Sequence, residues 1–148
     1  MFNPIGFVKS AVTEVTDSNW GSVVSQIVVN DDLADGLAGL QSFSHIIVVY
    51  HLNKTTFEKE KHLTRRPKGR SDMPLIGIFA QRSKNRPNGI GLTTVKLLSV
   101  NKNMVEVQGL DAIDGTPVLD IKPHYPQYDF KENVVVPDWV DVLMEGYF

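Results

Sequence analysis

A chain of 148 residues, 42% hydrophobic and 22% charged, fits one domain spanning 1–148 and excludes an intrinsically disordered class. It has no cysteine, no run of roughly eighteen uncharged apolar residues and no signal-peptide pattern in MFNPIGFVKS, so disulfides, thiolate chemistry and export lose support and a cytoplasmic protein is expected. The net charge of −2 hides an asymmetry: from Lys54 to Arg86 ten Lys and Arg stand against Glu58, Glu60 and Asp72, a local +7 that leaves −9 elsewhere.

Asn3 to Ala11 reads as a short strand, with Ile5 and Phe7 on one side. A polar loop from Thr13 to Ser22 follows, interrupted by Trp20, which either caps the core or stacks on a ligand. Val23 to Val29 is a second strand by its β-branched content, and Asp31 to Leu40 a short helical turn opened by an N-cap type Asp. Phe43 to Leu52 is the most hydrophobic strand and belongs at the centre of a sheet. His45 and His51 share one of its faces but lie about 20 Å apart, too far to share a metal ion.

The segment 54–72 shows no clear period and is expected to be a basic excursion, mobile or partly helical, with a lid among its readings. Its charges either draw polyanions and phosphorylated partners by field or simply solvate a loop. From Leu75 to Val100 two β-prone runs, Leu75 to Ala80 and Ile90 to Val100, enclose Arg82, Ser83, Lys84, Asn85, Arg86 and Asn88. Pro87 fixes its own φ, while Asn88 and Gly89 are expected to supply the positive φ of a tight turn, so the loop is shaped before any ligand arrives. Met104 to Leu110 alternates and forms a hairpin with Leu92 to Val100; Pro117 to Ile121 is a further strand, and Lys122 to Tyr128 is extended by its prolines. The tail 134–148 carries Trp139, Leu143, Met144, Tyr147 and Phe148, apolar enough to dock on its own domain or on a partner subunit. Short strands joined by turn signals, with few short helices, predict a mainly β fold, a small antiparallel sheet or barrel.

Gly89-Ile90-Gly91 is not a dinucleotide fingerprint, since a third glycine and a following helix are missing. No Walker loop, zincin helix or nucleophile elbow is present, and no metal is called for. Two polar clusters remain. One is Arg82, Ser83, Arg86 and Asn88. The other is Asp111, Asp114, Thr116, Asp120 and Lys122, read either as an enclosed site with a perturbed group or as a turn at Asp114-Gly115 beside a surface Asp120–Lys122 pair.

FSHIIVVY, GIFAQRSKNRPNGIGL and GLDAIDGTPVLDIKP, in this order, resemble the TsaA-like or TrmO-like family of S-adenosylmethionine-dependent methyltransferases, over roughly Ile5 to Pro126. The resemblance implies a small β-barrel enzyme working as a homodimer, with S-adenosyl-L-methionine near the subunit interface and the threonylcarbamoyl-adenosine beside a tRNA anticodon as methyl acceptor. Carried over by position, Arg82 and Leu92 flank the cofactor, Asp114, Gly115, Thr116 and Pro117 close over it, and Asn53, Lys54, Asn19, Trp20 and Gly21 complete its contacts. Arg86, Asn88, His124 and Tyr125 face the substrate. Asp114 or Asp120 is the candidate proton acceptor, positioned by Lys122. The sequence departs from the family's usual form at Gln81, Lys84, Asn85, Gly89 and His124. Two other readings use the same residues: a regulatory module that binds the cofactor without transfer, and a methyltransferase for a small molecule.

Overall fold

Alternation decides the central strand. In HIIVVYH, Ile46, Val48 and Tyr50 are buried while His45 and His51 stay exposed, the period-two pattern of a strand with one face against a core. A computed structural model describing residues 1–148 builds eight strands: β1 Gly6–Lys9, β2 Val24–Val29, β3 His45–His51, β4 Thr64–Arg65, β5 Ile76–Gly77, β6 Ile90–Asn101, β7 Met104–Gln108 and β8 Pro117–Pro123. Six of them close an antiparallel barrel in the order β1-β2-β7-β6-β3-β8, and β4 pairs only with β5. Three short α-helices complete it: α1 Lys59–His62, α2 Pro126–Asp129 and α3 Trp139–Met144. The expected hairpin between the sixth and seventh strands is present, from Lys96↔Gln108 to Asn101↔Met104.

The interior is filled by Val8, Ile27, Val29, Ile46, Val48, Tyr50, Val95, Val105, Val107 and Val118, with Leu37 plugging one end and Leu110 and Ala112 the other. Parity is kept by a bulge: Val49 pairs with Asp120 but Tyr50 with Val118, so the extra Leu119 lets both Ile121 and Val118 lie opposite inward residues of β3. Gly91 has a steric reason. A Cβ there would stand 2.4 Å from the Tyr50 ring, which crosses the barrel over it.

Four expectations fail locally. Leu75 to Ala80 is not a barrel strand, because Gly77 ends a two-residue ladder and Ile78–Ala80 turns into a 3₁₀ helix around the buried Ile78. Of Asn88 and Gly89 only the glycine takes positive φ, +57°. Asp31 is not the helix cap; Asn30 stands there, and the Asp31 carboxylate accepts a hydrogen bond from Asn103 at 3.0 Å. Lys122 to Tyr128 is not extended throughout, since Pro126 starts α2 with its φ already helical, and Asp129 accepts from the Tyr125 N–H at 3.2 Å.

Candidate functional site at one end of the barrel

Antiparallel pairing sorts the loops. The end of the barrel where β3 finishes and β6 and β8 begin also receives the 10–23 loop before β2, the 81–89 loop and the Asp111–Thr116 turn. Asn19, Trp20, Gly21, Asn53, Lys54, Arg82, Arg86, Asn88, Asp114, Gly115, Thr116 and Pro117 all therefore sit at this end. Leu92 lies one step inside it, outward-facing and 49% exposed. Leu92, Val49 and Asp120 form one outward row across three strands. His124 and Tyr125 follow β8 and lie at the opposite end, beside His45, whose carbonyl accepts from the His124 N–H at 3.1 Å.

At the loop-rich end a carboxylate gathers hydroxyls from three other places in the chain. Asp111 Oδ1 accepts from the Tyr50 hydroxyl at 2.9 Å and from the Thr93 hydroxyl, and its Oδ2 accepts from the Tyr147 hydroxyl at 2.6 Å. Asp111 is half-buried between the barrel plugs Leu110 and Ala112. Burial first, and then the neighbouring Asp111 charge, push both tyrosine hydroxyls far above their ordinary range, while the Thr93 hydrogen bond and, behind it, the Arg82 charge pull Tyr50 the other way. Both phenols are therefore fixed proton donors. Because their folded-state values are raised, their contribution to stability is complete below the ordinary tyrosine value near pH 10 and is lost as pH climbs beyond it. Urea unfolding followed from pH 8 to 11 should show that loss, and it should shrink in a Tyr50→Phe, Tyr147→Phe variant.

The tail reaches this site. Asn19 and Trp20 N–H groups donate to the carbonyls of Gly146 and Tyr147 at 2.9 and 2.8 Å, and Phe148 backbone passes so close to Gly21 that a Cβ there would meet it at 2.5 Å. Lys68 holds the tail from the other side, donating to the Leu143 carbonyl at 2.8 Å with its ammonium 5.4 Å from the Tyr147 ring centre. Trp20 is buried, its indole N–H donating to the Thr16 carbonyl at 3.2 Å.

The remaining site residues divide by how far the fold already engages them. Arg86 Nη1 donates to the carbonyls of Ile78 and Gln81 at 3.0 and 2.6 Å, bracing the 3₁₀ turn. Gln81 Nε2 reaches the Arg65 and Ile76 carbonyls, and Asn85 that of Thr56, which ties the 54–72 excursion to the 81–89 loop. Arg82 is exposed, with Nη2 on the Leu92 carbonyl at 2.6 Å, and the neighbouring Ser83 hydroxyl is buried without a partner. The Asp114 carboxylate accepts from the Ser10 N–H at 3.0 Å, Gly115 turns with φ +80°, and the Thr116 hydroxyl donates to the Ile113 carbonyl. Asp120 and Lys122 form a surface pair at 2.7 Å. Among the ten cations of 54–86, Lys61 and Arg70 pair with Glu58 and Asp72, several others bond to carbonyls that leave their charge intact, and Lys54, Lys59 and Lys84 have no partner.

Sequence reasoning named Asp111 only within a cluster and missed Tyr50, Thr93 and Tyr147. The signals were present: a tyrosine hydroxyl and a threonine on the inward faces of otherwise aliphatic strands must find an acceptor at the barrel mouth.

The family model described as the tRNA-methyltransferase O N-terminal domain matches residues 4–130. The chain belongs to that family. Among its relatives, an S-adenosyl-L-methionine-binding protein of Archaeoglobus fulgidus is 38% identical over 133 residues, covering 87% of this chain and 92% of that one. The human tRNA (adenine(37)-N6)-methyltransferase is 41% identical over 104 residues, which cover 68% of this chain but 22% of the human protein. In structure, TrmO from Pseudomonas aeruginosa superposes with a TM-score of 0.76 at 25% identity, covering 94% of this chain and 61% of that chain. The tRNA-methyltransferase O domain thus accounts for nearly all of this chain and for part of its longer relatives.

Proposed function

We propose that this protein is an S-adenosylmethionine-dependent tRNA methyltransferase that N-methylates a modified adenosine, threonylcarbamoyl-adenosine, next to the anticodon. The observation that carries the reading is the gathering of the Arg82 loop, the Asn19–Gly21 loop and the Asp114–Pro117 turn at one barrel end, in a chain of the tRNA-methyltransferase O family. The donor set suits an amino-acid nucleotide: an exposed guanidinium for a carboxylate, a buried Ser83 hydroxyl with no partner, and the exposed apolar Ile90 and Leu92 for an adenine face. When bound, the cofactor supplies a methyl group on a positively charged sulfonium.

Arg82 and Ser83 hold its carboxylate end, Leu92 packs on its base, and the Asp114–Pro117 backbone closes the turn above it. Asp120 stands in the same outward row as Leu92 and takes the proton released by the acceptor nitrogen, with Lys122 fixing its carboxylate. The Lys54, Lys59 and Lys84 side attracts the phosphates of the RNA. Two copies pair as a homodimer, for which the exposed Phe79 provides apolar surface.

The test is transfer of labelled methyl to tRNA lacking the modification, followed by nucleoside analysis, with Asp114→Ala and Asp120→Ala compared. Loss of transfer in Asp120→Ala with retained cofactor binding is expected; full transfer in Asp120→Ala removes its assignment as proton acceptor, and full transfer in Asp114→Ala as well removes the other candidate. The relative named only for binding favours a second reading, a cofactor-binding module without transfer. Calorimetric binding with no product at any tRNA concentration would select it.

A further inference from the structure

Away from the loop-rich end, at the other mouth of the barrel, three aromatic rings stand in a row on the surface. Phe43 and Tyr125 stack with centroids 5.7 Å apart and planes 23° from parallel, and Tyr125 continues to Tyr128 at 6.1 Å and 35°. Tyr125 is 41% exposed and Tyr128 75%, although rings of this size are ordinarily withdrawn from water. Neither phenolic oxygen forms a bond within the chain, and the rings are oriented by backbone: Pro126 starts α2 and Asp129 accepts the Tyr125 N–H, presenting Tyr125 and Tyr128 on one side of a single turn. Around the row lie His45 and His124, edge to face at 6.4 Å, and the outward lysines Lys96 and Lys122, the first directly paired in register with His45. Of the acids nearby, Asp129 accepts the Tyr125 N–H and lies 3.2 Å from His124 and Asp120 pairs with Lys122, while Asp32 and Asp35 stand exposed on the turn whose Leu33 and Leu37 line the hollow beyond Phe43. At the Phe43 end the row opens on a hollow of about 460 Å³ lined by Leu33, Leu37, Leu40, Ile121 and Pro123.

We propose that Phe43, Tyr125 and Tyr128 form a stacking platform for unpaired bases of a single-stranded RNA segment, with Lys96 and the two imidazoles beside its backbone. The argument is chemical. A ladder of exposed rings offers π-faces to any base without reading its edges, and flanking cations take the phosphates between stacked bases. A purely hydrophobic protein partner would be served as well by aliphatic residues and would not call for rings held at stacking separation. This platform rests on the RNA reading above but is separate from the methyl-transfer end: β3 alone puts about 20 Å between its His45 end and its His51 end. The substrate segment therefore extends well past the nucleotide being modified.

Binding of a fluorescent anticodon stem-loop RNA to the full chain tests this, with Tyr125→Ala, Tyr128→Ala, the matching Phe substitutions and Lys96→Ala. Each Ala variant should weaken binding roughly tenfold while the Phe variants bind as the parent does. The salt slope should stay unchanged in the ring variants and fall by about one phosphate contact in Lys96→Ala. Parental RNA affinity in Tyr125→Ala, Tyr128→Ala overturns the platform, as does a parent chain that binds no RNA. So does a parent dimer that becomes monomeric in those variants, by light scattering, with RNA affinity retained: the rings would then join two copies. Platform-dependent RNA binding without methyl transfer would instead leave the platform standing and remove the methyltransferase reading. Cofactor binding by calorimetry should be unaffected throughout.

Discussion

Replacing Asp111 by Ala should lower the folding free energy by about 2–3 kcal/mol and free the C-terminal segment. The carboxylate takes the Tyr50 and Thr93 hydroxyls on one oxygen and the Tyr147 hydroxyl on the other. With it gone, the Tyr50 hydroxyl keeps only long bonds, to the residue 111 backbone carbonyl at 3.4 Å and the Thr93 hydroxyl at 3.3 Å, which replace two bonds to a charged oxygen in a nearly dry place. Tyr147, partly open to water, loses a charge-assisted bond and with it the side-chain anchor of the tail. Asp111→Asn should cost less, because the amide oxygen still accepts from inside the barrel. Urea unfolding should show a lower midpoint at unchanged slope for Asp111→Ala, and amide exchange should quicken at Asn19 and Trp20, whose N–H groups bond to the tail. An unchanged midpoint would mean that the hydroxyl cluster does not hold the barrel mouth together.

Arg82→Ala should behave in the opposite way, leaving stability within about 0.5 kcal/mol, as expected of a surface change, while weakening cofactor binding at least about tenfold. Its guanidinium is exposed and spends one nitrogen on the Leu92 carbonyl, so the fold loses a single solvent-accessible bond. A carboxylate ligand loses its fork. Arg82→Lys should fall between parent and Ala, because charge survives and the planar geometry does not. Calorimetric titration of the three proteins checks the order, and an unchanged dissociation constant in Arg82→Ala would take the guanidinium out of the cofactor site.

What could be read in advance was set by range in the chain. β3 and the β6–β7 hairpin follow from alternation and a tight turn, both local; short strands with no amphipathic helix between them leave an antiparallel sheet or a barrel open, and the family resemblance implies the barrel. Leu75 to Ala80 has the same composition as a strand, yet Gly77 and the burial of Ile78 redirect it, a tertiary decision no local pattern carries. The hydroxyl cluster was harder. Its members, Tyr50, Thr93, Asp111 and Tyr147, come from four separate segments, and only barrel closure and tail docking bring them to one point. The Asp120–Lys122 pair, two residues apart on one strand, was legible for the converse reason. Arg86 looked like a ligand-facing cation in the motif and is committed to the carbonyls of the turn that shapes the loop, a role that composition cannot distinguish.

Barrel closure has one more consequence. Each of the six barrel strands has a ladder partner on both sides, although β8 past Val118 and β6 past Lys96 run beyond one of them, so along the β3–β6 wall two chains could not meet by continuing each other's backbone ladder. Any contact between copies on that wall would fall to outward side chains such as Leu92 and Thr94. Such a contact could be retuned by single surface replacements while every main-chain pairing stays as it is.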